Sequence, residues 1–216
     1  ALSNNAGYGL TSNGDKVFTD VTISNNDGHG VSGDGSATFE DVALSNNAGN
    51  GLTSNGDKVF TDVTISNNNG HGISGSGSVT LSRVTVRENN EAGFTGYTNT
   101  FSADTSTIVA NGNGGMSHFE DVDVTLNSCR VDSNSSSSYG GGIDGSGSLA
   151  LNNTQVKGNS GYSGGGIDYT GTIDFNNTNV LDNSASNIGG GIYLNGTGTF
   201  TNSNLKWNSG GSSGGG

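Results

Sequence analysis

Residues 1–21, ALSNNAGYGLTSNGDKVFTDV, return almost unchanged as residues 43–63, and the residues between them, TISNNDGHGVSGDGSATFEDV, follow the same pattern. The repeating unit is therefore 21 residues long. A unit that small cannot bury its apolar side chains by itself, so it can only fold by stacking on copies of itself. One asparagine marks each unit: Asn5, Asn26, Asn47, Asn68 and Asn89. The register continues through Asn111, Asn134, Asn159, Asn183 and Asn208, with steps of 22, 23, 25, 24 and 25 residues, which gives ten marked turns.

Three apolar columns keep step with the marker. Three residues before it stand Ile23, Leu44, Ile65, Val86, Ile108, Val131, Val156, Val180 and Leu205. Eight before it stand Phe18, Phe39, Phe60, Leu81, Ala103, Leu126, Leu151, Phe175 and Phe200. After it, following a glycine, come Leu10, Val31, Leu52, Ile73, Phe94, Met116, Ile143, Ile167 and Ile192. These columns set the chain apart from a disordered one, although only 29% of its 216 residues are hydrophobic and 40 are glycine.

Around each column the residues alternate inward and outward, as in Val21-Thr22-Ile23-Ser24, and Gly, Asn, Asp and Ser separate the segments. Three short strands and three turns account for one unit, and no segment has helical spacing. The expected fold is all-β: a right-handed single-stranded parallel β-helix, or β-solenoid, of about ten coils of 21–25 residues, forming a rod about 45 Å long. The marker asparagines are expected to form an inward hydrogen-bonded ladder. A second column lies six residues before the marker. Asn153, Asn177 and Asn202 in it suit a bend ladder, whereas Asp20, Asp41 and Asp62 should face water. Lys16 and Lys58 occupy a slot where Val79, Leu149 and Ile173 look inward, so a bulge turning Val17 and Val59 in is expected there.

Residues 1–216 read as one solenoid and as a segment of a longer protein. Coils are tight over 1–87, irregular over 88–125 (with weak columns in GYTNTFSADTS at 96–106), and 24–25 residues long over 126–216. The longer coils carry an insert: SSSSYGGGI at 135–143, SGYSGGGI at 160–167 and SASNIGGGI at 184–192. The GGGI runs, with LNNT at 151–154, FNNT at 175–178 and FTNS at 200–203, resemble the repeats of polymorphic outer-membrane autotransporter passengers, with Gly where that motif has Ala. More broadly the chain resembles right-handed parallel β-helix proteins of the pectate-lyase-like superfamily. The resemblance implies an extracellular or cell-surface location and an adhesive or rod-like role.

A net charge of −12 disfavours nucleic acid as a partner. No apolar run is long enough to insert this segment in a membrane as a helix. Self-association end to end, and carbohydrate or a host or cell surface, are the expected partners. No residues are assigned a catalytic role. Asp144 and Asp168 follow the GGGI isoleucines on successive coils as neighbours, but Tyr193 replaces the third. A carbohydrate-active enzyme, a polysaccharide lyase or hydrolase, is the alternative, and clustered carboxylates with a basic residue in one groove would favour it over smooth faces. No cofactor is required, with Ca²⁺ at Asp20, Asp41 and Asp62 a candidate. Tyr8, His29, Asn50 and His71 form a candidate ligand-facing row. The three histidines, His118 included, are too dispersed for a metal site. Ice binding is a further alternative, weakened because Thr22, Thr64, Thr85 and Thr107 are interrupted by Ala43 and because a paired Thr-x-Thr face is not expected. Cys129 is expected to be a small buried hydrophobe.

Overall fold

The computed structural model describes residues 1–96 and 99–211. Tyr97 and Thr98, in the weak-column stretch, and the terminal glycines 214–216 lie outside the described residues. The chain is an all-β parallel solenoid of about nine turns, the ten marker asparagines bounding nine intervals.

One wall is a ten-stranded sheet of two- and three-residue strands, running from Leu2–Ser3 and Thr22–Ser24 to Asn179–Leu181 and Asn204–Lys206. Leu2, Ile23, Leu44, Ile65, Val86, Ile108, Val131, Val156, Val180 and Leu205 are register partners in sequence, one per coil. The second wall changes character along the rod. In the early coils it is two separate strands, such as Leu52–Thr53 and Lys58–Thr61, divided by the Ser-Asn-Gly-Asp turn. From Met116 onward the turn is gone, and each coil contributes one long strand: Met116–Asn127, Ile143–Asn152, Ile167–Asn176 and Ile192–Thr201. The inserts of the late coils build a third, three-stranded sheet from Ser160–Ser163, Ser184–Ile188 and Ser209–Gly210.

All three apolar columns pair in the expected register. Phe18, Phe39 and Phe60 stack with ring centroids 4.8 and 4.9 Å apart. A fourth inward column runs Lys16, Ala37, Lys58, Val79, Phe101, Val124, Leu149 and Ile173. The expected bulge at Val17 and Val59 does not form. Lys16 and Lys58 point inward and are buried, while Val17 is 77% exposed. The ammonium groups make this tolerable: Lys58 Nζ donates to the Gly56 and Ser76 carbonyls at 2.7 and 2.6 Å, and Lys16 Nζ donates to those of Gly14 and Asp34. Each lysine ties its own turn to the next coil's turn, satisfying carbonyls that a hydrocarbon would leave bare. Burial still disfavours the charge and pulls the Lys58 pKa down to about 8.

The marker asparagines form the ladder. From Asn5 to Asn208 each side-chain Nδ2 donates to the next asparagine's Oδ1 at 2.7–3.0 Å. The same Oδ1 also accepts the backbone N–H of the previous asparagine, as Asn68 does from Asn47 at 3.2 Å. The residue before each marker turns the chain with positive φ: Asn4, Asn25, Asn46, Asn67, Glu88, Ala110, Ser133, Gly158, Asp182 and Trp207. The column of Asp20, Asp41, Asp62, Arg83, Thr105, Ser128, Asn153, Asn177 and Asn202 makes a second bend of the same kind, with φ between 48° and 55°. Asn and Asp accept this conformation most cheaply, which explains their frequency there. Asn153, Asn177 and Asn202 are exposed, and the expected bend ladder forms in part, on the surface: Asn177 Nδ2 donates to Asn153 Oδ1 at 2.7 Å. A second, buried ladder lies one residue later: Thr154 and Thr178 are buried, and their hydroxyls, with Ser106 and Ser203, accept backbone N–H groups of the preceding coil. Cys129 lies buried in this column, its thiol pushed up by burial.

Candidate functional site

The long strands and the insert sheet meet at an angle, and between them lies a groove of about 500 Å³. Its floor is the outward face of the long strands, where Asp144, Asp168 and Tyr193 are register partners on three successive coils. Its side is made by the inserts, which contribute Tyr139 and Tyr162. Tyr139, Tyr162 and Tyr193 are 50%, 48% and 40% exposed, so each ring is partly open to solvent.

Two single-residue bulges shape the near end. Strand Met116–Asn127 has twelve residues against ten in Ile143–Asn152, and the register shifts once between Met116 and Phe119 and again between Phe119 and Val122. The extra residues sit at His118 and Asp121, both with positive φ. The bulges keep Phe119 and Val122 in the core and lift His118 onto the groove rim. There the His118 backbone N–H donates to Asp144 Oδ2 at 3.2 Å, and the imidazole meets Tyr139 edge to face at 5.8 Å. Beneath the floor, Gly145 leaves room for the buried Tyr169 ring, whose hydroxyl donates toward the Ser146 and Ser148 carbonyls at 3.2 Å.

Parallel pairing puts Asp144 and Asp168 one strand spacing apart, about 4.8 Å between backbones, on the same face. Burial and then the charge of Asp144 push the Asp168 pKa up to about 6. Burial raises Asp144 too, against the opposing pull of the His118 N–H. Two neighbouring carboxylates that resist joint ionisation can hold one proton between them or bind a cation.

Sequence reasoning paired Asp144 with Asp168 correctly but did not join His118, Tyr139, Tyr162 and Tyr193 to them. Part of the signal was present: Tyr139 and Tyr162 precede GGGI runs in corresponding inserts. That these inserts fold back over the strand bearing the aspartates was not visible in spacing alone.

The other candidate residues lie elsewhere. Tyr8, His29, Asn50 and His71 do form a row, with Tyr8 stacked on His29 at 5.0 Å, but much of its polarity is spent internally. His29 Nδ1 accepts the Asn50 backbone N–H at 2.8 Å, Asn50 Oδ1 accepts that of His71, and His71 Nδ1 accepts that of Ala92. Burial lowers the pKa of both imidazoles. Asp20, Asp41 and Asp62 are exposed on successive bends, and Asp62 is bonded to the Arg83 guanidinium through both oxygens at 2.7 and 2.6 Å. Among the described residues no group of three or more His, Cys, Asp or Glu is arranged to hold a metal ion. Thr-x-Thr triplets stand on adjacent coils at Thr170–Thr172 and Thr197–Thr199, but two residues out of register: Thr172 pairs with Thr197, while Thr170 lies beside Asn195 and Thr199 beside Asp174, so they do not make a paired Thr-x-Thr face.

Searches among curated proteins and solved structures return no match. A family of right-handed beta helix regions matches residues 6–143, more than half of the chain. The match begins in the first tight coil, crosses the irregular stretch and ends at Ile143, the first residue of the groove floor. The chain belongs to the right-handed β-helix family, and its solenoid is right-handed.

Proposed function

We propose that this chain is a rigid, acidic β-solenoid segment of a secreted or cell-surface protein that acts as an adhesive scaffold, with the groove over Asp144 and Asp168 as its carbohydrate contact. The observation that carries this reading is the groove itself. Three half-exposed tyrosines flank carboxylates and the hydroxyls of Ser146 and Thr170 in a groove whose floor is made of register-paired strands. Aromatic faces suit the C–H surface of a pyranose ring, and the polar groups between them suit its hydroxyls. A floor that cannot deform holds that arrangement before the ligand arrives, which lowers the ordering cost of binding. Retention of the purified chain on immobilised polysaccharides, beside the Tyr162→Ala variant, tests this. Wild type should be retained on at least one polysaccharide and the variant released earlier. Absence of retention on a broad panel would overturn the reading.

A second reading, glycoside hydrolysis, is favoured by one specific observation: two carboxylates with displaced pKa values stand side by side with His118 at the rim of the same groove. Such a pair can divide the roles of acid and base. Reducing-end release from the retained polysaccharide, abolished in Asp168→Asn, would convert the scaffold into an enzyme. Binding without release leaves it an adhesin.

A further inference from the structure

The chemistry of the groove selects among saccharides. The lining sets three carboxylates, Glu120, Asp144 and Asp168, among three tyrosines, with the His118 imidazole at the rim and neither Lys nor Arg in the cavity. The chain's seven basic residues are committed elsewhere. Lys16 and Lys58 are inside the rod. Arg83 is held by Asp62, Arg87 by Glu88, Arg130 by Asp132 and Lys157 by Asp182. Lys206 sits in the ten-stranded sheet, away from the long strands. An anionic sugar would therefore meet three carboxylates with no Lys or Arg to offset them. A neutral sugar would leave the Asp144–Asp168 repulsion in place.

The geometry points to an amine-bearing saccharide, a hexosamine oligomer with free ammonium groups, as the ligand class of this groove. The inference rests on the carbohydrate reading above and adds the charge of the sugar to it. The ammonium would sit between Asp144 and Asp168, offsetting the repulsion of the two carboxylates, while neighbouring pyranose rings lie against the exposed parts of Tyr162 and Tyr193. An ammonium near a tyrosine face gains further attraction from the ring quadrupole. The raised pKa of Asp168 fits this arrangement, because burial first and the neighbouring Asp144 second make its charge costly, and a bound cation offsets both.

Titration calorimetry with three size-matched probes tests the inference: glucosamine oligomers, N-acetylglucosamine oligomers and oligogalacturonate. Glucosamine oligomers should bind at least about tenfold more tightly than the acetylated form, with an affinity that falls as salt is added. Oligogalacturonate should not bind. The double variant Asp144→Asn, Asp168→Asn should erase the preference for the free amine. Tyr162→Ala, at an exposed position, should weaken both amino-sugar probes equally and leave the preference intact. Equal affinity for acetylated and free oligomers, or binding of oligogalacturonate, would overturn the charge inference while leaving a saccharide groove standing. No binding by any of the three probes would also overturn the charge inference, and the polysaccharide panel would then decide whether the saccharide reading stands without it.

Discussion

Asn67 and Asn68 are adjacent in the chain and do different physical work. Asn67 turns the backbone with φ of 55° and faces water, whereas Asn68 is 1% exposed and bonded to Asn47, Asn89 and the Leu44 carbonyl. Asn67→Gly should change stability by less than about 0.5 kcal/mol, because glycine adopts that conformation freely. Asn68→Ala should cost about 3 kcal/mol, because it strands buried donors and acceptors on two coils. Chemical denaturation of the two variants checks the contrast. Lys58 makes a prediction in pH. Its folded pKa, about 8, lies below its unfolded value, so between roughly pH 8 and 10.5 the unfolded chain holds more protons and stability should rise with pH. In Lys58→Met that rise should disappear, as melting curves across the window would show. His29 and His71 work in the acid direction. Each is held neutral as an acceptor for the next coil's backbone N–H, so their contribution should be present above the ordinary histidine pKa and be lost as pH falls through the lowered folded values. A melting temperature that fell equally below pH 6.5 in a His29→Gln, His71→Gln variant would refute this.

At the level of strands and turns, the late coils depend on glycines that let one insert lie against the next. A Cβ on Gly165 would sit 2.2 Å from the Ser184 carbonyl oxygen and 2.5 Å from that of Gly190. Gly165→Ala should therefore cost 2 kcal/mol or more, on the order of an overpacked core site. Gly14→Ala, where nothing lies within 4 Å, should be neutral or slightly stabilising. Matched thermal melts would decide. These elements also show where the sequence was legible. The inward columns and the asparagine ladder could be read from periodicity because stacking places like on like at a fixed offset. Lys58 misled because pattern reasoning scores a lysine by its charge, whereas its hydrocarbon stem fills the Val79 slot and its ammonium reaches two carbonyls at the end of it. The surface rung between Asn153 and Asn177 could be read from spacing, whereas the buried Thr154–Thr178 ladder one residue later could not, because nothing in the spacing separates a buried hydroxyl from an exposed one. The groove was half legible. Strand register predicts that Asp144 neighbours Asp168, but the bulges that raise His118 arise from local backbone geometry that leaves no periodic trace.

The whole molecule is a stack in which each coil rests mainly on its neighbours, so its stability should be close to a sum of like terms. Removing residues 43–63 joins Val42 to Thr64 and sets Ile23 on Ile65, Phe39 on Leu81 and Asn26 on Asn68. That variant should fold, melt in one transition and be shorter by about 4.8 Å in X-ray scattering. Removing 43–62 instead leaves one extra residue at the Val42 bend, a 22-residue step such as Asn89 to Asn111 already makes with its strands in register, so that variant should also fold, with a lower melting temperature than the 21-residue deletion. The ladder has one more consequence for the rod. At every step the amide nitrogen faces the following coil and the amide oxygen the preceding one, without a reversal from Asn5 to Asn208. Nine aligned amide-to-amide links add as vectors, so the rod carries a permanent electric polarity along its axis, independent of its net charge. Two such rods lying side by side are electrically indifferent to nothing: antiparallel neighbours attract through this dipole and parallel ones repel.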